Sequence, residues 1–281
     1  MSILQTVLWA AGSAGVAAAG ALLLLRLADR RRDAAAWRSL SVSSPPGGAR
    51  FDPAMVGHLP EPARRYFGYM IRPGAPLHRA VSLGLRGEIG LGTREKPGYR
   101  PFVADQVLAC PAGLVWRMGA GAISGTDAML PEGSWSRFRL FGLVPVARVS
   151  GNPDHFRSAF GRVVAEAAFW TPAALLPGPG VTWSEAGPDT ARAVVSAHGL
   201  SQAVDIVVAD DGRPLTVCIQ RWSNENPGRV YRLQPFGGVP SDFEEKDGYR
   251  LPLSVEGGNH FGTPDYFPFY RAKVTSLVAL G

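Results

Sequence analysis

Residues 3–25 contain no charged side chain and end in four consecutive leucines, Leu22, Leu23, Leu24 and Leu25. At about 1.5 Å per residue, a helix over this stretch is ~34 Å long, enough to cross the hydrocarbon core of a bilayer. In lipid every backbone polar group must be satisfied within the segment, so a helix is the expected form. Gly12, Gly15 and Gly20 weaken a helix in water but are tolerated in membrane helices. Ala11 and Gly15 also have the small-residue spacing of close helix contacts. A cleavable signal peptide would need a basic residue ahead of the apolar run. Residues 2–6 hold no Lys or Arg, and Ala17, Ala18 and Ala19 precede the leucines instead of following them. The expectation is a retained single-pass anchor over residues 1–25.

The next residues orient it. Arg26, Arg30, Arg31, Arg32 and Arg38 follow the run, against Asp29 and Asp33. The positive-inside rule places that side in the cytoplasm, so the main domain is expected there, on a bacterial inner membrane. The same arginines would also be drawn to anionic lipid. Residues 26–38 carry +3 of the chain's formal +6. The rest of the chain is therefore nearly balanced, and its basicity does not mark a nucleic-acid binder. Apolar residues make up 46 % and charged residues 19 %, which excludes a disordered chain. Residues 39–50 are rich in Ser, Pro and Gly, the composition of a flexible spacer. The expected division is an anchor at 1–25, a basic juxtamembrane segment and linker at 26–50, and one domain at 51–281.

Within that domain, Leu59, Ala63, Tyr66, Phe67 and Met70 recur on one face of a 3.6-residue period and predict a first helix over 59–71. Phe156, Phe160, Val163, Val164 and Ala167 do the same for a second helix over 154–169, capped by Asn152 or Asp154 and stopped by Pro172. Elsewhere the chain breaks into short segments punctuated by turns. The predicted strands are 78–89, 102–109, 114–118, 122–130, 134–143, 181–184, 190–196, 202–209, 215–222, 230–235, 241–246, 249–256 and 270–280. Asp211-Gly212 and Asp247-Gly248 read as tight turns, because Gly supplies the positive φ they need. Sequential strands joined by tight turns mean an antiparallel sheet. The fold class is α+β: a large curved antiparallel sheet on two helices, preceded by one transmembrane helix.

No catalytic motif is present: no G-x-S-x-G elbow, H-E-x-x-H helix, P-loop or dinucleotide fingerprint. His58, His78, His155, His198 and His260 are scattered, so neither a metal nor a cofactor is expected. Asp154-His155 reads as a helix start before an acid–base pair. Glu166 borders the apolar arc beside Trp170; it is either a carboxylate with a raised pKa or the partner of Arg162. Asp205 reads as a solvent-facing strand residue. Cys110 and Cys218 read as buried, unreactive thiols.

Four segments resemble an uncharacterised bacterial family whose members often carry an N-terminal membrane segment. They are Leu-Pro-Glu-Pro-Ala-Arg-Arg-Tyr-Phe at 59–67, Arg-Gly-Glu at 86–88, the run 100–106, and the run 166–177 with its Phe-Trp-Thr-Pro. The resemblance extends from Leu59 to the C-terminus and carries no established activity. A fold-level similarity to lipoprotein carriers of the LolA/LolB kind runs through Phe243, the Asp247-Gly248 turn and the strand after it. That similarity implies a curled sheet around helices with an apolar cavity for acyl chains. Those carriers are exported, whereas the arginine flank here argues for a cytoplasmic domain.

The function expected is therefore a membrane-tethered, non-catalytic module that binds an apolar or lipid-like ligand in the hollow of its sheet. The residues expected to touch the ligand are Glu166, Trp170, Phe236, Phe243, His260 and Tyr266. Two alternatives stand beside it. One is an enzyme acting on a membrane or envelope substrate through Glu166, Asp205 and His260. The other is a tethered protein-interaction domain using a sheet edge.

Overall fold

The computed structural model describes residues 2–42 and 48–280. Helix α1 (Ile3–Ser41) opens the chain, followed after a short 3-10 turn by α2 (Glu61–Met70). A first antiparallel run comprises β1 (Ala80–Gly90), β2 (Tyr99–Ala109), β3 (Gly113–Ala120), β4 (Ile123–Leu130), β5 (Gly133–Leu140) and β6 (Val144–Ser150). Helix α3 (Pro153–Trp170) interrupts it. The second run comprises β7 (Val181–Gly187), β8 (Thr190–Ala197), β9 (Leu200–Val208), β10 (Pro214–Ser223), β11 (Arg232–Lys246), β12 (Tyr249–Asn259) and β13 (Phe267–Leu280). All belong to one 13-stranded sheet in the order β6-β5-β4-β3-β2-β1-β13-β12-β11-β10-β9-β8-β7. The two runs are thus seamed along β1 and β13, which pair from Ala80–Leu280 to Ile89–Tyr270. The sheet's two edges, β6 and β7, are joined through α3, which crosses the hollow between them.

The helical periodicities hold. Ala63, Tyr66, Phe67 and Met70 are all buried, and the Tyr66 hydroxyl donates to the Ala168 carbonyl at 2.9 Å, tying α2 to α3. Asn152 caps α3, its side-chain oxygen accepting from the Asp154 and His155 amides at 2.8 and 3.2 Å. Phe160, Val163, Val164, Ala167 and Ala168 are buried against the concave face. Burying side chains of this size is the largest favourable contribution to holding the helix in the hollow.

Three elements differ from the sequence expectation. Strand β6 was not expected, because it is an edge strand with almost every side chain exposed, and so shows no alternation to read. The segments 230–235 and 241–246 form one strand, β11, through Gly237, Gly238 and Pro240. There the glycines are close-approach positions: a Cβ at Gly237 would run into the Val217 carbonyl, and one at Gly238 into the Glu256 carbonyl. Finally, α1 does not stop near Leu25 but continues to Ser41, into the segment expected to be a linker. Of that linker, residues 43–47 lie outside the described residues.

The continuation of α1 docks on the convex face. Ala36 and Leu40 pack with Ala80, Val107, Val115, Leu130 and Trp135. Asp29 accepts two hydrogen bonds from Arg148, at 2.6 and 3.0 Å, and pairs with Arg139 and, at 3.2 Å, with Arg137. Asp33 accepts from Trp135 Nε1 at 2.8 Å and Thr126 Oγ1 at 2.9 Å. The apolar window of this helix has a mean hydropathy of 1.3, and only 6 % of it is buried in the chain. Its length and composition suit a membrane anchor or a signal sequence.

Candidate functional site

Between α3 and the strands of the seam lies a cavity of about 540 Å³. That volume is within the roughly 300–1,000 Å³ of small-molecule sites. Helix α3 supplies Arg162, Ala165, Glu166, Phe169 and Trp170 to its wall, at the spacing of one helix face. Strands β11 and β13 add Phe236, Phe267, Phe269 and Tyr270, and β3 adds Trp116. Gly90, Gly92, Gly237, Gly238 and Gly257 complete it. These glycines let neighbouring segments approach closely at the wall: a Cβ at Gly90 would meet the Phe267 ring, and one at Gly92, Gly237, Gly238 or Gly257 a neighbouring backbone carbonyl. Tyr270 stacks on Phe102 with centroids 5.3 Å apart, and burial pushes its phenol up, so it stays protonated. The Trp170 indole donates to the Pro252 carbonyl at 3.2 Å, which fixes the ring as part of the wall.

One end of the cavity is polar, and its Asp127, Arg162 and Arg221 are shared with a smaller adjoining pocket lined by Ser136 and His155. Arg162 donates through Nε to Glu166 at 2.5 Å and through Nη2 to Gln106 at 3.2 Å, and lies 3.5 Å from Asp127. Gln106 in turn donates to the other Glu166 oxygen at 2.5 Å. The Ser136 hydroxyl donates to Asp127 at 2.5 Å and shares a hydrogen bond with His155 Nε2 at 2.8 Å; Ser134 meets His155 Nδ1 at 2.7 Å. Burial lowers the His155 pKa, against the opposing pull of Asp127. Arg221, on β10, donates through Nε to the Ser158 carbonyl at 3.2 Å and hydroxyl at 3.1 Å, and through no other nitrogen among the described residues. Its guanidinium lies 4.7 Å from the Phe236 ring centroid. Burial first, and the Arg162 charge second, push Arg221 down to about 10, which leaves it cationic at neutral pH.

Of the residues expected at the ligand, Glu166, Trp170 and Phe236 line this cavity. Phe243, His260 and Tyr266 are not among its lining residues. Phe243 packs edge-on against Tyr69 of α2 at 5.5 Å. His260 sits in the β12–β13 turn with φ 58° and reaches the Glu225 carbonyl at 3.2 Å. Tyr266 packs edge-on against Phe261 at 5.2 Å. Glu166 takes the expected pairing with Arg162. Asp205 pairs with Arg192 through two hydrogen bonds of 2.6 and 2.8 Å, away from the cavity. Glu166, Asp205 and His260 therefore form no common cluster, and that catalytic version has no geometry to support it. Asp154 accepts from the Trp222 indole at 2.7 Å, at the helix start where it was expected. Burial pushes the Cys110 thiol up to about 12 and the Cys218 thiol to about 11, so neither is a thiolate at neutral pH.

Arg221 escaped the sequence reading, though a signal for it exists. On β10 the buried Val217 and Ile219 alternate into position 221, so a charged residue continues an apolar face.

The fold is similar to solved structures of low identity. One is a LolA superfamily protein from Nitrosomonas europaea, at a TM-score of 0.40 and 11 % identity, covering 77 % of this chain and 90 % of that one. Another is a DUF1329 family protein from Desulfovibrio piger, at 0.41 and 11 %, covering 82 % and 94 %. No curated protein matches the sequence. The model of one family matches residues 49–272, which is most of the chain and nearly all of the sheet domain. The chain belongs to DUF6544, a family of unknown function.

Proposed function

We propose that this chain is a membrane-tethered module whose sheet holds an apolar or lipid-like ligand beneath α3. The observation that carries the reading is the cavity itself: about 540 Å³ walled by Trp116, Phe169, Trp170, Phe236, Phe269 and Tyr270. Aromatic walls left unfilled beneath a packed helix favour a ligand over a structural role. Helix α1 is the tether. Its docked half, held by Asp29, Asp33, Ala36 and Leu40, belongs to the folded domain, which supports a retained helix over a removed leader. The arginines after Leu25 favour the cytoplasmic side of a bacterial inner membrane for the domain, by the positive-inside rule.

Lipid extraction and native mass spectrometry of the purified full chain test the ligand. Bound lipid is the expected result, and a chain free of any lipid removes the proposal's main support. A C-terminal alkaline phosphatase fusion tests the topology: it is expected to be inactive, and an active fusion reverses the orientation.

A further inference from the structure

Of the three arginines that line the cavity, Arg162 and Arg221 are in opposite situations. Arg162 is fully engaged by Glu166, Gln106 and Asp127. Those carboxylates are in turn taken up by Arg162, Gln106 and Ser136. Glu225, at the cavity's rim, pairs with Arg229. Arg221 faces Asp127, Glu166, Glu225 and the cation Arg162, yet forms no ion pair with any of the three carboxylates. Its two terminal nitrogens have no hydrogen-bond partner among the described residues. A guanidinium in a cavity wall without a counter-ion is costly to keep, and its planar fork matches a carboxylate or phosphate.

Resting on the ligand reading above, we propose that the cavity takes an acyl-chain amphiphile with an anionic head, seated on the terminal nitrogens of Arg221. The chain lies along the aromatic wall, and the head meets the cavity arginine that no carboxylate pairs among the described residues. The test uses the delipidated full chain in a non-ionic detergent, equilibrated with equimolar hexadecanoate, hexadecyl phosphate and hexadecanol. Bound species are counted by native mass spectrometry. Either anion is expected to outcompete the alcohol by about 10- to 100-fold, the scale of one charge-assisted hydrogen-bonded contact. The preferred anion assigns a carboxylate or a phosphate head. Arg221→Gln should remove the preference, bringing both anions down to the level of hexadecanol. Equal binding of alcohol and acid by the wild type overturns the role of Arg221 while leaving the apolar cavity standing. Binding of none of the three overturns the ligand reading itself.

A second surface rests on separate observations. The β5–β6 hairpin turns through Phe141 and Gly142, with φ 49° and 67°, closed by the Leu143 amide on the Leu140 carbonyl at 3.1 Å. Paired positive φ values suit Asn-Gly, and a bulky aromatic at the first position is strained. Phe141 is nevertheless 78 % exposed, so packing within the chain does not explain it. Val144 and Val146, on the following strand, are exposed too. The Arg26 guanidinium lies against Gly142, its Nη2 3.1 Å from where a Cβ would stand. Arg26 is the first charged residue after the uncharged run. The hairpin tip is thus level with the end of that run, beside a groove lined by Arg26, Arg30, Arg117 and Arg139 against Asp33.

We infer that the Phe141 tip enters the interface of the bilayer that holds α1, with the basic groove facing lipid headgroups. This rests on α1 being the anchor. Full chain carrying Phe141→Trp, in nanodiscs of zwitterionic and anionic phospholipid with brominated acyl chains, supplies the test. The emission added by the new indole is expected to be quenched. Added emission that is unquenched and solvent-like overturns the inference, as does burial of the tip in a dimer. Trp9 lies within the uncharged run, so wild-type emission untouched by bromine overturns the anchor separately.

Discussion

The two faces of the sheet use the same side chains to opposite ends. On the convex face, Arg137, Arg139 and Arg148 converge on Asp29, and Asp33 is held by Trp135 and Thr126. The charges of Asp29, Arg137, Arg139 and Arg148 are matched there within the chain, although the buried Nε atoms of Arg137 and Arg139 have no hydrogen-bond partner among the described residues, and the result is a latch between helix and sheet. On the concave face Arg162 is matched in the same way, but Arg221 is not. A buried ion-pair network is weak evidence for net stability, yet breaking it is expensive. An open cation costs the fold something and gains its counter-ion from outside. The convex network therefore reads as structure, and the concave arginine as a site.

The largest expected effect breaks the latch. Asp29→Ala leaves Arg139 and Arg148 without a carboxylate and Arg137 with Asp33 alone, and should destabilise the chain by about 3–5 kcal/mol, read from its denaturant midpoint. Arg221→Gln should change stability by less than about 1 kcal/mol, since it breaks no ion pair, while erasing the preference for anionic ligands. A loss as large as that of Asp29→Ala would make Arg221 structural and collapse the contrast.

His155 sharpens the comparison next. Its folded pKa lies below the ordinary 6.5, so the unfolded chain binds the proton more readily. Its contribution is complete above pH 6.5 and is lost as pH falls through the depressed value. His155→Gln should flatten that acid limb, read as a smaller fall of the denaturant midpoint between about pH 7 and about pH 5. The smallest effect is at the hairpin tip. Phe141→Asn places a residue suited to positive φ there and should stabilise the soluble fold by about 0.5–1 kcal/mol, read as a raised Tm.

What the sequence made legible follows from periodicity. The faces of α2 and α3 were readable because Tyr66, Phe67, Phe160 and Val164 repeat at helical spacing against one apolar surface. Strand β6 was not, because an exposed edge carries no alternation. Asp29 and Asp33 looked like flank charges, since their partners lie about a hundred residues away on strands and leave no local pattern. In the site, Glu166 and Trp170 were found because one helix face carries both. Phe243, His260 and Tyr266 were grouped with them on aromatic and polar composition, which a packed sheet edge or turn supplies equally well.

The central claim is that the cavity beneath α3 is where the ligand lies. Ala165 lines that cavity, so Ala165→Trp should plug it. The decisive measurement is the lipid content of this variant beside the wild type, both purified as full chains with the same thermal transition. The account predicts a bound amphiphile in the wild type and none in the plugged chain. Equal lipid in both would place the ligand elsewhere and contradict it.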